Sequence, residues 1–324
     1  MKIFLITITM SLILACDQTS KVENQPSRER ELWFFWSVDW HPQKELLSVG
    51  GMQDTLRIIS SNDLNLIKSY PYKGTITKTK WHPSKNKLAV SVQDGKSKSA
   101  ILNVDNDQIL ELDNLTMDEA RAIGWNSTGA LLAVGDYEGF LTIFDENGKL
   151  IRKVNTQEKS IIGLDWHPSE NLIVAVGEKI TMYNYNDDRL KQIEDREKEV
   201  LMLCVDWHPS GEFFVTGDYG DFEFHYPPLL QYWNYDGYRI KSIEESKAEY
   251  RNIEWSKDGT LLATASEKVR LWDDRGNLVK EANSESLLWG IDWNESSNHL
   301  AVTDEDGNCI IFNKDLNKVK QLQQ

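Results

Sequence analysis

Short apolar runs alternate with polar turns along most of the chain, and seven of those runs end in tryptophan. The tryptophans are Trp40, Trp81, Trp125, Trp166, Trp207, Trp255 and Trp293, spaced by 41, 44, 41, 41, 48 and 38 residues. Short apolar runs bounded by turn residues read as strands, and self-similarity at about forty residues marks stacked repeats rather than one conventional core. The most regular copies are VDWHPQKELLSVG (38–50), LDWHPSENLIVAVG (164–177), VDWHPSGEFFVTG (205–217) and IEWSKDGTLLATA (253–265). Each predicts strand, turn, strand. Pro42, Pro83, Pro168 and Pro209 follow the first strand, where a fixed φ suits a tight turn and a missing N–H costs nothing. The pairs Leu46-Leu47, Leu131-Leu132, Phe213-Phe214 and Leu261-Leu262 open a second strand. A third is expected at 56–59, 100–104, 141–144, 181–183, 230–233, 269–272 and 310–312. Asn147-Gly148, Asp236-Gly237 and Gly276-Asn277 carry hairpin chemistry ahead of a charged fourth strand, as at 149–153 and 238–241. Four antiparallel strands repeated seven times predict an all-β, seven-bladed β-propeller, each tryptophan a core residue of its own blade.

The segment IEWSKDGTLLATASEKVRLWD (253–273), with its closing Trp272-Asp273, resembles a WD40 repeat. Other third strands end more loosely, in Phe144-Asp145, Tyr183-Asn184, Trp233-Asn234 and Phe312-Asn313. The resemblance runs from residue 33 to the end and implies a ring that binds other proteins and scaffolds complexes without catalysis. The chain departs from the family by lacking the Gly-His pair that often precedes the first strand, which puts the usual polar network inside each blade in doubt. Many WD40 rings splice an N-terminal strand into the last blade; here 318–322 offers a C-terminal fourth strand instead.

The first fifteen residues differ in kind. Lys2 precedes an apolar stretch at 3–14, too short for a stable membrane span, so 1–15 read as a secretory signal. Ile13-Leu14-Ala15-Cys16 resembles the bacterial lipobox, which implies cleavage before Cys16 and a diacylated Cys16 as the new N-terminus. Residues 16–31 then form a polar, flexible tether and 32–324 the propeller. The expected location is the cell envelope, lipid-anchored and extracytoplasmic. Asp17 favours inner-membrane retention under one group's sorting rule, which other bacterial groups do not follow, so either membrane is admitted.

Charge and chemistry then narrow the function. With 51 acidic against 36 basic residues the formal charge is −15, which disfavours nucleic acid and favours basic or neutral protein partners. Cys204 and Cys309 fall in non-adjacent blades and predict two buried thiols rather than a disulfide. Gly95-Lys96-Ser97 lacks the rest of a phosphate loop, and Asp304-Glu305-Asp306-Gly307 lacks the later Glu of a calcium loop. His41, His82, His167 and His208 recur in neighbouring sheets roughly 10 Å apart, too far to share an ion, so a turn-capping role is expected. No cofactor, metal or catalytic residue is expected. One position does carry repeated charge: the residue before each tryptophan is Asp39, Asp165, Asp206, Glu254 or Asp292, with Lys80 and Gly124 completing the seven. In a propeller the first strand is innermost, so these acids line the central channel, either as a funnel for a cation or basic peptide or as a solvated wall.

Blade five breaks the pattern. Between its tryptophan and the end of its third strand lie 26 residues, against 19 in blades three and seven, and the surplus is GDYGDFEFHYPP (217–228). Tyr219, Phe222, Phe224, His225 and Tyr226 are expected either to anchor a partner or to fold back over the outer edge of the blade. The chain thus reads as a monomeric, membrane-anchored, non-catalytic scaffold. Two other readings are kept: an accessory lipoprotein of the outer-membrane barrel assembly type, and a periplasmic propeller hydrolase with a loop-borne site.

Overall fold

The computed structural model describes residues 34–113, 115, 119–193 and 200–322. The signal, Cys16 and the tether lie outside them. The described residues hold seven separate four-stranded antiparallel sheets and no helix. Each blade is built from four consecutive strands, at 35–71, 75–111, 120–155, 161–193, 202–243, 252–283 and 288–322. The sheet order follows the sequence order, innermost strand first. Blade seven is completed by Lys318–Leu322, as the C-terminal pattern predicts. Closure is therefore by packing: Trp40 of blade one donates its backbone N–H to Asp292 Oδ2 of blade seven at 2.5 Å, and Lys320 Nζ reaches Ser61 O at 2.8 Å.

The seven tryptophans are all buried, each packed both on its own blade and on the blade before it. Trp81 packs with Leu56, Ile58 and Tyr70 of blade one, Trp207 with Val174, Val176 and Met182 of blade four, and Trp293 with Ala263, Val269 and Leu271 of blade six. The indole is long enough to cross the roughly 10 Å gap between packed sheets. Its ring N–H often ends on the preceding blade: Trp81 on Asp39 O, Trp125 on Lys80 O, Trp166 on Gly124 O and Trp293 on Glu254 O, at 2.9–3.2 Å. The repeat unit is consequently the interface between blades, which couples the whole ring.

The histidines after the tryptophans act in the same way. Nδ1 of His41, His82 and His167 each accepts two backbone N–H groups of the following turn at 3.0–3.2 Å, and His208 Nδ1 accepts one. An Nδ1 that accepts leaves the proton on Nε2. That N–H points to the next blade, reaching Asn86 Oδ1 from His41, Gly211 O from His167 and Gly259 O from His208. The turn-capping expectation accounts for only half of the imidazole. Asp136, Asp218 and Asp304 each hold two backbone N–H groups of the turn between second and third strands. Asp304 is thus committed to its hairpin, and Cys204 and Cys309 are free and buried.

Candidate functional site

First strands start on one face of the ring and end in tryptophan on the other. Loops joining second to third strands share the starting face, by the alternation of an antiparallel sheet. The channel between the first strands has different linings at its two ends.

At the tryptophan end the channel opens as a funnel of about 630 Å³, ringed by Asp39, Asp165, Asp206, Glu254 and Asp292. Four of these acids are tied to the adjoining blade. Oδ2 of Asp39, Asp165, Asp206 and Asp292 accepts the backbone N–H of Trp81, Trp207, Trp255 and Trp40 at 2.5–2.8 Å. Each of these four acids caps the next tryptophan round the ring. Glu254 faces Lys80 instead, which reaches across from blade two to meet Glu254 Oε2 at 3.2 Å, Asp39 Oδ1 at 3.0 Å and Asp292 Oδ1 at 3.9 Å. Lys257 adds a contact to Glu254 at 3.4 Å. The cation of this carboxylate ring is supplied by the chain itself.

The carboxylates titrate apart accordingly. Burial pushes Asp39, Asp206 and Asp292 up, and Asp165 to about 6, with neighbouring acids adding to the shift. Burial works on Glu254 too, yet Lys80, Lys257 and Lys78 hold it down to about 2. Burial likewise opposes the charge on Lys80, but Asp39, Glu254, Asp292 and Asp206 outweigh it and hold the ammonium well above its ordinary value.

The other mouth is made by residues the sequence pattern passes over. In six blades the pairing of first and second strands slips near the start of the first strand, a β-bulge that skips Trp36, Thr77, Arg121, Ile162, Leu203 and Trp289. In blade six Arg251 shares Ala265 with Asn252. Every one stands four residues before its blade tryptophan. A bulge re-aims its extra residue, and here all seven line one small cavity of about 40 Å³, together with Lys78 and Asn252. Trp36 and Trp289 stack with ring centres 4.6 Å apart. Arg251 lies 4.0 Å over Trp289, and Arg121 lies 5.6 Å from Trp36. A cationic and aromatic collar thus closes one mouth, opposite the acidic funnel. The clue in the sequence is the fixed offset from tryptophan, hidden because the seven positions hold five different residue types.

The blade-five loop lies beside this collar, with Arg251 5.8 Å from the Tyr219 ring. Asp218 holds the loop's ends by accepting Gly220 N–H and Leu229 N–H at 3.0 and 2.8 Å. Asp221 and Tyr226 exchange both backbone hydrogen bonds at 2.7 Å, and Asp221 Oδ1 accepts Phe224 N–H at 3.0 Å. His225 turns the chain in the left-handed region, at φ 61°. The result is a fixed tip. Phe222 and Phe224 are 54% and 63% exposed there, His225 is exposed, and Tyr226 is half-buried with its ring 6.4 Å from Phe224.

Comparison with known proteins follows the same ring. The family model described as Eukaryotic translation initiation factor eIF2A matches residues 35–178, 101–238 and 147–290. These overlapping matches begin in blades one, two and three and together take in most of the chain. The human F-box-like/WD repeat-containing protein TBL1Y is 36% identical over 59 residues, 18% of this chain and 11% of that protein. Its mouse relative TBL1X is 31% identical over 97 residues, 29% and 18% of the two chains. Protein hir1 of Schizosaccharomyces pombe is 23% identical over 253 residues, 70% of this chain and 24% of its own. The chain spans a quarter or less of the length of these curated relatives. By its seven four-stranded blades, its Trp-Asp third strand and these matches, the chain belongs to the family of WD-repeat propellers that the eIF2A model describes.

Proposed function

We propose that this propeller is a non-catalytic scaffold, lipid-anchored at Cys16 on the extracytoplasmic side of a bacterial membrane, whose monomeric ring binds another protein through the starting face. Relatives named for their WD repeats support a protein-interaction role, and the single observation that carries the reading here is the blade-five tip. Two phenylalanines held in water on a braced loop contribute nothing to the ring's own core. A rigid aromatic loses little freedom when it enters a partner's pocket, and such residues are the usual centres of interface energy. The net charge of −15 favours a basic or neutral partner. Either membrane suits the tether.

Two experiments test this reading separately. In-cell cross-linking followed by mass spectrometry should capture a partner with wild type, and Phe222→Ala with Phe224→Ala should reduce capture at least tenfold, about 1.4 kcal/mol. The melting temperature should stay put, because neither ring is buried. Unchanged capture would remove the tip from the interface. For the anchor, labelled palmitate should enter wild type and not Cys16→Ser. Equal labelling of both proteins would exclude lipidation there.

A further inference from the structure

The collar at the starting face concentrates positive charge on an otherwise acidic protein. Lys78, Arg121 and Arg251 line it, and the nearby carboxylate bonded to this set is Glu249, which pairs with Arg251. Neither Lys78 nor Arg121 enters an ion pair among the described residues. Lys78 gives its ammonium to the amide oxygen of Asn252 at 2.9 Å, and Arg121 neighbours the Tyr137 hydroxyl. Arg251 packs on Trp289 and gives Nη2 to Glu249, while its buried Nε has no hydrogen-bond partner among the described residues. Arginine edges match a carboxylate or phosphate oxygen pair.

We infer that this mouth receives one carboxylate side chain of a partner polypeptide, seated against Arg121 and Arg251, while the apolar residues beside it lie on Trp36, Trp289 and Tyr219. This inference rests on the reading that the ring binds protein, and it names the chemistry of the contact. Three observations select the ligand. The cavity of about 40 Å³ holds roughly three waters by volume, which suits a single carboxylate. Ile162, Leu203 and the two tryptophans make the rim apolar, which suits neutral flanking residues better than a run of acids. Beyond Lys78 the channel passes into the carboxylate ring, whose five acids stop an anion at the mouth. A partner basic or neutral overall, presenting one acidic residue among apolar ones, satisfies both the protein's general charge and this local one.

Titration calorimetry on the full chain tests it, with capped Gly-Leu-Glu-Leu-Gly, its Gln and Lys counterparts, free acetate and inorganic phosphate as probes. The Glu peptide should bind at least tenfold more tightly than the Gln peptide, acetate and phosphate, and the Lys peptide should not bind. Arg121→Gln should reduce the Glu preference at least threefold, and Arg121→Gln with Arg251→Gln should abolish it. The single variant serves if the double variant, which strands Glu249, loses its fold. Equal binding of Glu and Gln peptides, stronger binding of phosphate, or a preference untouched by Arg121→Gln would overturn the inference. Partner capture that still depends on Phe222 and Phe224 would then leave the scaffold reading intact. Capture that fails while the peptides discriminate would strike the scaffold reading alone.

Discussion

Trp207→Ala is expected to destabilise the ring by about 3–5 kcal/mol, the range for removing a large aromatic from a packed core. Trp207 is buried among Val174, Val176 and Met182 of blade four and its own Phe214, whose ring lies edge-on at 5.0 Å. The sheets of blades four and five are each held by their own backbone ladders and have little freedom to collapse into the void. Chemical denaturation should show one transition at a lower midpoint, since loosening a blade interface loosens two blades at once. Trp207 also offers a control. Its indole N–H has no hydrogen-bond partner, so Trp207→Phe should recover most of the loss. At Trp293 the same change also strands Glu254 O, which accepts the Trp293 ring N–H at 3.1 Å, and should recover less. An unchanged midpoint for Trp207→Ala would mean that the interface does not carry the ring.

Lys80→Met is expected to cost about 3 kcal/mol at pH 7, the lower end for an uncompensated buried charge because the funnel admits water. The variant leaves Asp39, Glu254 and Asp292 facing one another without the ammonium that now meets all three. Its pH dependence has a definite sign. A carboxyl whose folded pKa is raised holds more protons folded than unfolded, so its contribution to stability grows as pH falls through the interval between the two values. Asp39, Asp206, Asp292 and Asp165 are of this kind, Asp165 from 3.8 to about 6. Glu254, held at about 2, is the opposite. Its stabilisation is complete above the ordinary 4.5 and lost as pH falls toward 2. Without Lys80 the first group dominates near neutrality, and the deficit against wild type should narrow between pH 7 and pH 5. Urea titrations at the two pH values measure it. A deficit that widens on acidification, or none at pH 7, would show that Lys80 does not neutralise the ring.

Much of this was legible from periodicity. The seven tryptophans at about forty-residue spacing, the prolines after them and the hairpin glycines are local signals, because turn geometry and strand alternation depend on near neighbours in the chain. They gave the blade count and the four strands and offered 318–322 as a fourth strand for blade seven, while how the ring closes stayed open until the strands were placed. The acids before the tryptophans were legible as channel residues for the same reason, since alternation in the innermost strand decides which side chains point inward. The extra length of the blade-five loop was plain in the spacing. Its aromatic exposure was not, because whether a ring faces water or folds back depends on bracing by Asp218 and the Asp221–Tyr226 bridge.

Other features belong to the tertiary structure alone. The tryptophans looked like core residues of their own blades, and they are, but packing also makes each one a seam with the blade before it. Five carboxylates read either as a funnel for a cation or basic peptide or as a solvated wall; Lys80 comes across the channel from blade two to Glu254 of blade six, 174 residues away in the chain, and supplies a cation from within. The collar was the least visible, because a strict period of two turns Arg121, Trp36 and Trp289 away from the channel, and only the recurring bulge turns them in. The sequence determined which residues repeat. Ring closure decided which of them meet, because the channel joins first strands from all seven blades and no local pattern records a contact between opposite sides of a ring.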